Sequence, residues 1–89
     1  MQQRIHVSIE DKPGALMRVT GILTAKGCNI RSLRVDPDPV HAGLSQIFLI
    51  AEVEERLQTR VITEMNRLVN VLLATDITSA FEDVKRAAC

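Results

Sequence analysis

The apolar residues of this 89-residue chain change their spacing several times, and these changes limit the folds that it can adopt. Ile5, Val7 and Ile9 alternate with polar residues, as in a strand that buries one face. The next apolar residues follow at helical spacing, namely Leu16, Val19, Ile22 and Leu23. Lys26 and Gly27 indicate the end of this helix, because glycine adopts a positive φ easily and lysine suits the negative end of the helix dipole.

Two further strands are predicted in the middle of the chain. One runs from Asn29 to Val35, and its charged residues Arg31 and Arg34 are typical of an edge strand. The stretch 36–43 contains two prolines, which cannot donate a ladder hydrogen bond and therefore interrupt the strand. The following strand has apolar residues on both faces, which indicates a central position in a sheet. One face carries Ile47, Leu49, Ala51 and Val53, and the other carries Gln46, Phe48 and Ile50.

A second helix and a fourth strand complete the pattern. The apolar residues of the helix are Leu57, Val61, Ile62, Met65 and Leu68. Glu54 and Glu55 are predicted in its first turn, near the positive end of the dipole. The fourth strand is predicted from Val71 to Ile77.

The predicted order of elements is that of the ferredoxin-like βαββαβ unit. We therefore predict an α+β fold in which a four-stranded antiparallel sheet carries both helices on one face. Residues 1–77 form this domain, and residues 78–89 form a C-terminal tail. Ser79 and Glu82 have capping-box spacing, which predicts a short helix over 80–88 with Phe81 and Val84 on one side.

One face of such a sheet stays uncovered in a single chain. Phe48, Ile50 and the apolar members of the second strand are predicted to contribute to it. Because an exposed apolar patch usually marks a partner surface, we expect at least a dimer.

Composition argues against several classes of function. Eleven lysines and arginines balance eleven aspartates and glutamates, and aromatic residues make up only 2% of the chain. Nucleic-acid binding is disfavoured, since it needs positive charge and aromatic residues that stack on bases. No apolar stretch is long enough for a membrane helix or a secretory segment, so we expect a soluble cytoplasmic protein that contacts no membrane.

The sequence also lacks the patterns that are typical of catalytic and metal sites. Cys28 and Cys89 lie far apart, which predicts two reduced thiols, and neither His6 nor His41 has a partner at metal-ligand spacing. The serines show no nucleophile elbow, and the four glycines are too dispersed to cradle a phosphate. We therefore expect neither a catalytic centre nor a metal site in this chain.

The turn into the first helix is the remaining candidate for a site. Gly14 has no Cβ, so a small ligand can approach its backbone, and the free N–H groups at a helix start suit a carboxylate such as that of an amino acid. In the structural alternative, Asp11 only caps the helix, Pro13 sets its first turn and Gly14 relieves crowding.

At this turn the chain resembles a known family. The stretch 11–16, followed by Val19, Gly21, Gly27, Asn29 and Ile30, resembles an ACT domain, a ligand-sensing module of amino-acid metabolism. The segments 27–35 and 43–47, with Pro37 between them, are similar to the small regulatory subunit of acetohydroxyacid synthase, also called acetolactate synthase. The resemblance covers about residues 3–77 of the chain.

The resemblance implies a non-catalytic feedback regulator of branched-chain amino-acid synthesis. Such a subunit binds the catalytic large subunit, raises its activity and confers inhibition by valine, isoleucine or leucine. This chain would hold no cofactor, because thiamine diphosphate, magnesium and FAD would belong to the large subunit. Two chains would form a homodimer through the edge of the second strand, giving an eight-stranded sheet.

The resemblance also implies where an effector binds, namely between the first helix of one chain and the second strand of its partner. The effector-binding residues carried over by position are Asp11, Gly14, Ala15 and Leu16 from one chain, with Asn29 and Ile30 from the other. Relatives often carry asparagine at the position of Asp11. An ionised aspartate only accepts hydrogen bonds, so it would favour the ammonium of the ligand.

Other functions stay open for a chain of this fold. A stand-alone ACT-domain sensor of another amino acid and a purely structural dimerisation module would share these features. An acylphosphatase-like enzyme would share the topology, but it needs an arginine in a phosphate-cradling turn after the first strand, where this chain has Glu10, Asp11 and Lys12.

Overall fold

The structure is a computed structural model that describes residues 1–79. Its strands are β1 (Gln2–Glu10), β2 (Asn29–Pro37), β3 (Leu44–Glu52) and β4 (Val71–Asp76). Its α-helices are α1 (Ala15–Ala25) and α2 (Gln58–Asn66), and a 3-10 turn (Glu55–Leu57) precedes α2. The order of strands and helices is the predicted one.

The four strands form one antiparallel sheet in the order β2-β3-β1-β4. The ferredoxin-like topology is therefore confirmed. β3 lies inside the sheet, as its two apolar faces predicted, and β2 lies at an edge, as its arginines predicted. β4 forms the other edge.

The core lies between the sheet and the two helices, and the predicted apolar stripes build it. β1 contributes its alternate residues Ile5, Val7 and Ile9, which are at most 3% exposed. Ala15, Val19, Leu23, Ile47, Leu49, Ala51, Val53, Val61, Met65 and Ala74 complete the buried cluster. Since almost every member is aliphatic, the core is filled without aromatic side chains.

The uncovered face of the sheet carries Phe48 and Ile50, as predicted. Phe48 is 45% exposed, and its ring stacks on the imidazole of His6 with a centroid distance of 4.8 Å. His6 and Phe48 are directly opposite each other in the pairing of β1 with β3. This face is thus partly apolar, but it also carries polar side chains.

The prediction that the apolar residues of β2 belong to this face is wrong. The pairing of β2 with β3 shifts between Ile30 and Ser32, so Arg31 is an extra residue in the strand. In a regular strand, Leu33 and Val35 would lie on the opposite face from Ile30, because side chains alternate between the two faces. The extra residue reverses this alternation, so Ile30, Leu33 and Val35 share one face. Leu33 and Val35 lie on the helix-covered side, but stay 43% and 41% exposed because β2 has a neighbouring strand on one side only.

The entry into α2 differs slightly from the prediction. Glu55 lies in the 3-10 turn and Glu54 precedes it, and the first turn of α2 contains no acidic residue. The two carboxylates are therefore not part of the first helical turn. Leu68 follows the end of the helix and packs against the core from the turn toward β4.

The C-terminal tail falls mostly outside the described residues. The helix predicted over 80–88, with its capping-box residue Glu82, belongs to this part of the chain. The domain boundary at residue 77 and the tail helix stay predictions. Neither α1 nor α2 has the length and apolar character of a membrane-spanning helix, and residues 1–79 contain no other candidate.

Candidate functional site

The turn between β1 and α1 adopts a conformation that favours glycine. Gly14 has a φ of +81° and precedes the first helical residue, and its carbonyl accepts the N–H of Arg18 at 3.1 Å. The N–H of Ala15 donates to the carbonyl of Lys12 at 3.1 Å. No side chain caps the helix within the described residues, so Asp11 does not have the capping role of the structural alternative. The backbone N–H of Asp11 instead donates to Gly43 at 2.8 Å.

The start of α1 has spare hydrogen-bond donors. Within residues 1–79, the backbone N–H groups of Gly14, Leu16 and Met17 donate no hydrogen bond to another residue. Such groups carry the positive end of the helix dipole, and the first turn contains no acidic residue to balance it. The helix start is therefore electrostatically suited to an anion.

The guanidinium of Arg18 adds a full positive charge at the same place. Its Cζ, Nη1 and Nη2 atoms lie 3.7–3.8 Å from the position that a Cβ on Gly14 would take. Nη1 donates to Oδ1 of Asn70 at 2.6 Å, and Asn70 is only 8% exposed. The carbonyl of Asn70 accepts the N–H of Glu10 at 2.8 Å. The turn after α2 thus holds the guanidinium beside Gly14.

Sequence reasoning did not identify Arg18 and Asn70 as site residues. Asn70 is 52 positions from Arg18, and only folding brings them together. A local signal existed for Arg18, since a cation near a helix N-terminus opposes the dipole unless an anion is also present. The pair places a positive charge beside Gly14 that the sequence analysis did not include.

The predicted site residues fall into two groups. Asp11, Gly14, Ala15 and Leu16 share the turn into α1. Ala15 is 2% exposed and Leu16 packs partly buried against the core, whereas the side chain of Asp11 is exposed. This first group lies together in the chain, between the end of β1 and the first turn of α1.

Asn29 and Ile30 are not brought to this turn within one chain. Asn29 pairs with Glu52, which also pairs with Gln2 at the beginning of β1. Gly14 follows Glu10 at the end of β1, and the nine residues of that strand span about 26 Å. Asn29 is exposed and Ile30 is half-buried against the core. Within one chain, the two groups of predicted site residues therefore lie at opposite ends of the sheet.

Two cavities among the described residues lie away from both groups. A cavity of about 780 Å³ opens beside α2, where Ile22, Thr63 and Leu68 are among its lining residues. A cavity of about 220 Å³ lies on the uncovered sheet face, beside Ser32, Phe48 and Ile77. Neither is lined by a residue of the two predicted groups.

No metal centre is evident in the part of the chain that the structure describes. Residues 1–79 contain no group of three or more His, Cys, Asp or Glu side chains that could hold a metal ion. Nε2 of His6 donates to Oε1 of Gln46 at 2.6 Å, on the uncovered face. Because the amide nitrogen of Gln46 donates to Asp38 and Ser8, its oxygen is the acceptor and His6 Nε2 is the donor.

Asp38 stabilises the loop between β2 and β3. Its carboxylate accepts the backbone N–H groups of Val40 and His41, both at 2.8 Å, and the side-chain amide of Gln46 at 2.6 Å. The hydrogen bond from His41 contributes most, followed by that from Val40, and together with Gln46 they lower the pKa of Asp38 from 3.8 to about 2.

This pKa predicts an acid-dependent loss of stability. Between about pH 4 and pH 2 the folded chain binds fewer protons than the unfolded chain. The contribution of Asp38 is therefore complete above pH 4 and is lost as the pH falls toward 2. We expect an NMR titration of the Asp38 carboxyl to have its midpoint near 2, and Asp38→Asn to make acid unfolding in this range less steep. A midpoint near 3.8 would contradict the hydrogen bonding described above.

Comparison with known sequences identifies relatives. A family model described as the AHAS small subunit-like ACT domain matches residues 5–73. A probable acetolactate synthase small subunit of Archaeoglobus fulgidus is 33% identical over 89 residues, which cover 100% of this chain and 54% of that protein. The acetolactate synthase small subunit of Bacillus subtilis is 32% identical over 80 residues, covering 89% of this chain and 46% of the relative. The chain thus spans about half the length of these curated relatives.

Solved structures share the fold. The acetolactate synthase small subunit from Thermotoga maritima superimposes with a TM-score of 0.73 at 21% identity, over 85% of this chain and 47% of that chain. The ACT domain of a GTP pyrophosphokinase from Chlorobium tepidum gives a TM-score of 0.70 at 19% identity, over 85% of this chain and 96% of that one. Together with the match of the family model, this fold shows that the chain belongs to the family of AHAS small subunit-like ACT domains.

Proposed function

We propose that this chain is a regulatory subunit of an acetolactate synthase and that it senses a branched-chain amino acid. The relatives that it matches are named acetolactate synthase small subunits. Catalysis would take place on a separate large subunit that holds thiamine diphosphate, magnesium and FAD. This chain would bind that subunit, raise its activity and transmit inhibition by valine, isoleucine or leucine.

The observation that carries the proposal is the concentration of positive charge at Gly14. The spare N–H groups of Leu16 and Met17 and the guanidinium of Arg18 would bind the α-carboxylate of an amino acid. The exposed carboxylate of Asp11 would pair with the α-ammonium. This arrangement removes the conflict between Asp11 and a carboxylate ligand, because the two charges of the ligand are bound by different groups.

A second copy of the chain would complete the site. If two β2 edges pair antiparallel about a two-fold axis, the Asn29 end of one strand lies beside the Pro37 end of the other. Pro37 is at the same end of the sheet as Gly43, which accepts the N–H of Asp11. Pairing therefore would bring Asn29 and Ile30 of the partner toward the turn at Gly14. Ile30 and Leu16 would then contact the aliphatic side chain of the ligand.

Calorimetric titration of the full chain with valine, leucine and isoleucine tests the effector. We expect saturable binding of at least one of them at or below millimolar concentration. Valinamide is the matched control, since it keeps the side chain and the ammonium but lacks the carboxylate. Absence of saturation with all three amino acids would overturn amino-acid sensing, and equal binding of valinamide would overturn carboxylate recognition at Gly14.

Reconstitution with a catalytic acetolactate synthase subunit tests the partner. We expect the chain to raise the activity of that subunit and to make it sensitive to the amino acid found by calorimetry. A chain that binds the amino acid but leaves the enzyme unaffected would be a stand-alone sensor. A chain that neither binds an amino acid nor changes activity would be a structural dimerisation module.

A further inference from the structure

The two edges of the sheet differ in how their backbone groups are satisfied. An edge strand presents N–H and C=O groups on its outer side, and these groups can pair with a strand of another chain. β2 and β4 are the edge strands here. Proteins that remain small assemblies must therefore block at least one such edge.

A side chain from α2 occupies the backbone N–H and carbonyl of Ala74, in the middle of the β4 edge. Oδ1 of Asn66 accepts the N–H of Ala74 at 2.9 Å, and Nδ2 of Asn66 donates to the carbonyl of Ala74 at 3.0 Å. The side-chain amide thus offers the same donor and acceptor that a peptide group of an added strand would offer. Nδ2 also donates to the carbonyl of Ile62 at 3.1 Å, which ties the side chain to its own helix.

Apart from Asn66, β4 has little protection against pairing. Its sequence contains no lysine, arginine or proline, and Asp76 at its end is its only charged residue. Leu72 and Leu73 are 54% and 58% exposed. A short apolar edge of this kind would otherwise be suited to association.

The edge of β2 has no equivalent closure. Within residues 1–79, no side chain forms a hydrogen bond with the backbone of Asn29–Pro37, and the ladder with β3 uses only one side of the strand. Leu33 and Val35 are 43% and 41% exposed along this strand. The outer side of β2 is thus available for a second strand.

We propose that Asn66 restricts sheet pairing between copies of this chain to the β2 edge. The inference rests on the β2-mediated dimer of the proposed function and adds the reason why association stops at two chains. Pairing of two β2 edges about a two-fold axis closes the assembly and leaves a capped β4 edge at each end. If the β4 edges could also pair, each dimer would join further dimers into an open-ended sheet.

The test compares the mass of three variants of the full chain by sedimentation equilibrium over a range of concentrations. Asn66→Ala removes both hydrogen bonds to Ala74. Thr63→Ala is the matched control, because Thr63 also lies on α2 and its hydroxyl donates to the carbonyl of Thr59 at 3.0 Å, within its own helix. The third variant combines Asn66→Ala with Leu72→Lys, since a lysine on an edge strand discourages pairing.

We expect the wild type and Thr63→Ala to remain dimers at all concentrations. Asn66→Ala should form species larger than a dimer whose mass grows with concentration, and Leu72→Lys should return it to the dimer. An Asn66→Ala variant that does not associate beyond the wild type would overturn the inference. A monomeric wild type would overturn the β2 dimer of the proposed function. In that case the role of Asn66 stands if Asn66→Ala associates, and it falls if Asn66→Ala stays monomeric.

Hydrogen exchange of the wild type provides a test that does not depend on the folding of a variant. The amide of Ala74 faces the outer side of an edge strand, where a free N–H would exchange rapidly. Because Asn66 accepts this N–H, we expect strong protection of the Ala74 amide. Exchange at the rate of an unprotected amide would overturn the inference.

Discussion

Gly14→Asp is expected to weaken amino-acid binding roughly 10–100-fold while the chain stays folded, and Gly14→Asn is expected to retain binding. Both variants place a non-glycine residue at a φ of +81°, which costs about 1–2 kcal/mol in each. Asp and Asn tolerate this conformation better than most residues. A Cβ at this position would be in ordinary contact with Arg18 at 3.7 Å, so the Cβ that both variants add is accommodated.

The two variants differ in charge alone. The carboxylate of Gly14→Asp would lie beside the guanidinium of Arg18 and the helix start, where it occupies the place of the ligand carboxylate. Loss of hydrogen bonds to a charged group costs about 1.5–3 kcal/mol. This corresponds to a dissociation constant raised by roughly 10–100-fold. The amide of Gly14→Asn adds no charge and leaves Arg18 available to the ligand.

Calorimetry with the amino acid that the wild type binds is the measurement, and chemical unfolding shows whether the two variants have equal stability. Equal weakening of binding in both variants would mean that bulk rather than charge disturbs the site. Undiminished binding in Gly14→Asp would contradict a carboxylate site at Gly14. In the reconstituted enzyme, Gly14→Asp should remove feedback inhibition without removing activation.

Replacement of Leu33 and Val35 together by lysine is expected to convert the proposed dimer into a folded monomer. Both side chains are more than 40% exposed in the single chain, so lysine is tolerated there. In a β2-mediated dimer, however, four of these residues come together at the interface. At each of these four positions, lysine removes apolar burial at the interface that is worth about 1 kcal/mol. The combined loss, to which repulsion between the lysines adds, should raise the dimer dissociation constant roughly a thousandfold.

The same double variant tests whether the site needs two chains. We expect it to lose amino-acid binding although Gly14 and Arg18 are unchanged, because Asn29 and Ile30 would no longer arrive from a partner. The matched control replaces Leu72 and Leu73 of the opposite edge by lysine, and it should remain a dimer that binds the ligand. Light scattering gives the mass and calorimetry the binding. A double variant at Leu33 and Val35 that stays dimeric would contradict the β2 interface, and a monomer that still binds would contradict a shared site.

Local patterns were sufficient to predict the elements of this fold. The alternation in β1 places its apolar side chains on one face, and the helical spacing from Leu16 to Leu23 does the same for α1. Neither depends on the rest of the chain. Gly14 and Gly27 both have a positive φ, next to the start and the end of α1. These properties depend only on residues that are close together in the chain, so they can be predicted from one sequence.

The orientation of Leu33 and Val35 could not be predicted in this way. It depends on the extra residue Arg31, and a strand accommodates such a residue only in relation to its partner strand β3. Two further contacts could not be predicted for the same reason. Arg18 contacts Asn70, and Asn66 contacts Ala74, and in each case the two residues belong to different parts of the fold.

The sequence by itself determined the βαββαβ order, the edge position of β2 and the turn at Gly14, since backbone geometry and burial of one face act over a few residues. Only the tertiary structure decided which charges surround that turn, which face the apolar residues of β2 take, and which edge of the sheet is closed. Each of these depends on the packing of distant elements. The tertiary structure also decided that Gly14 and Asn29 lie a strand length apart, because this distance follows from the pairing of β1 and β2 with β3.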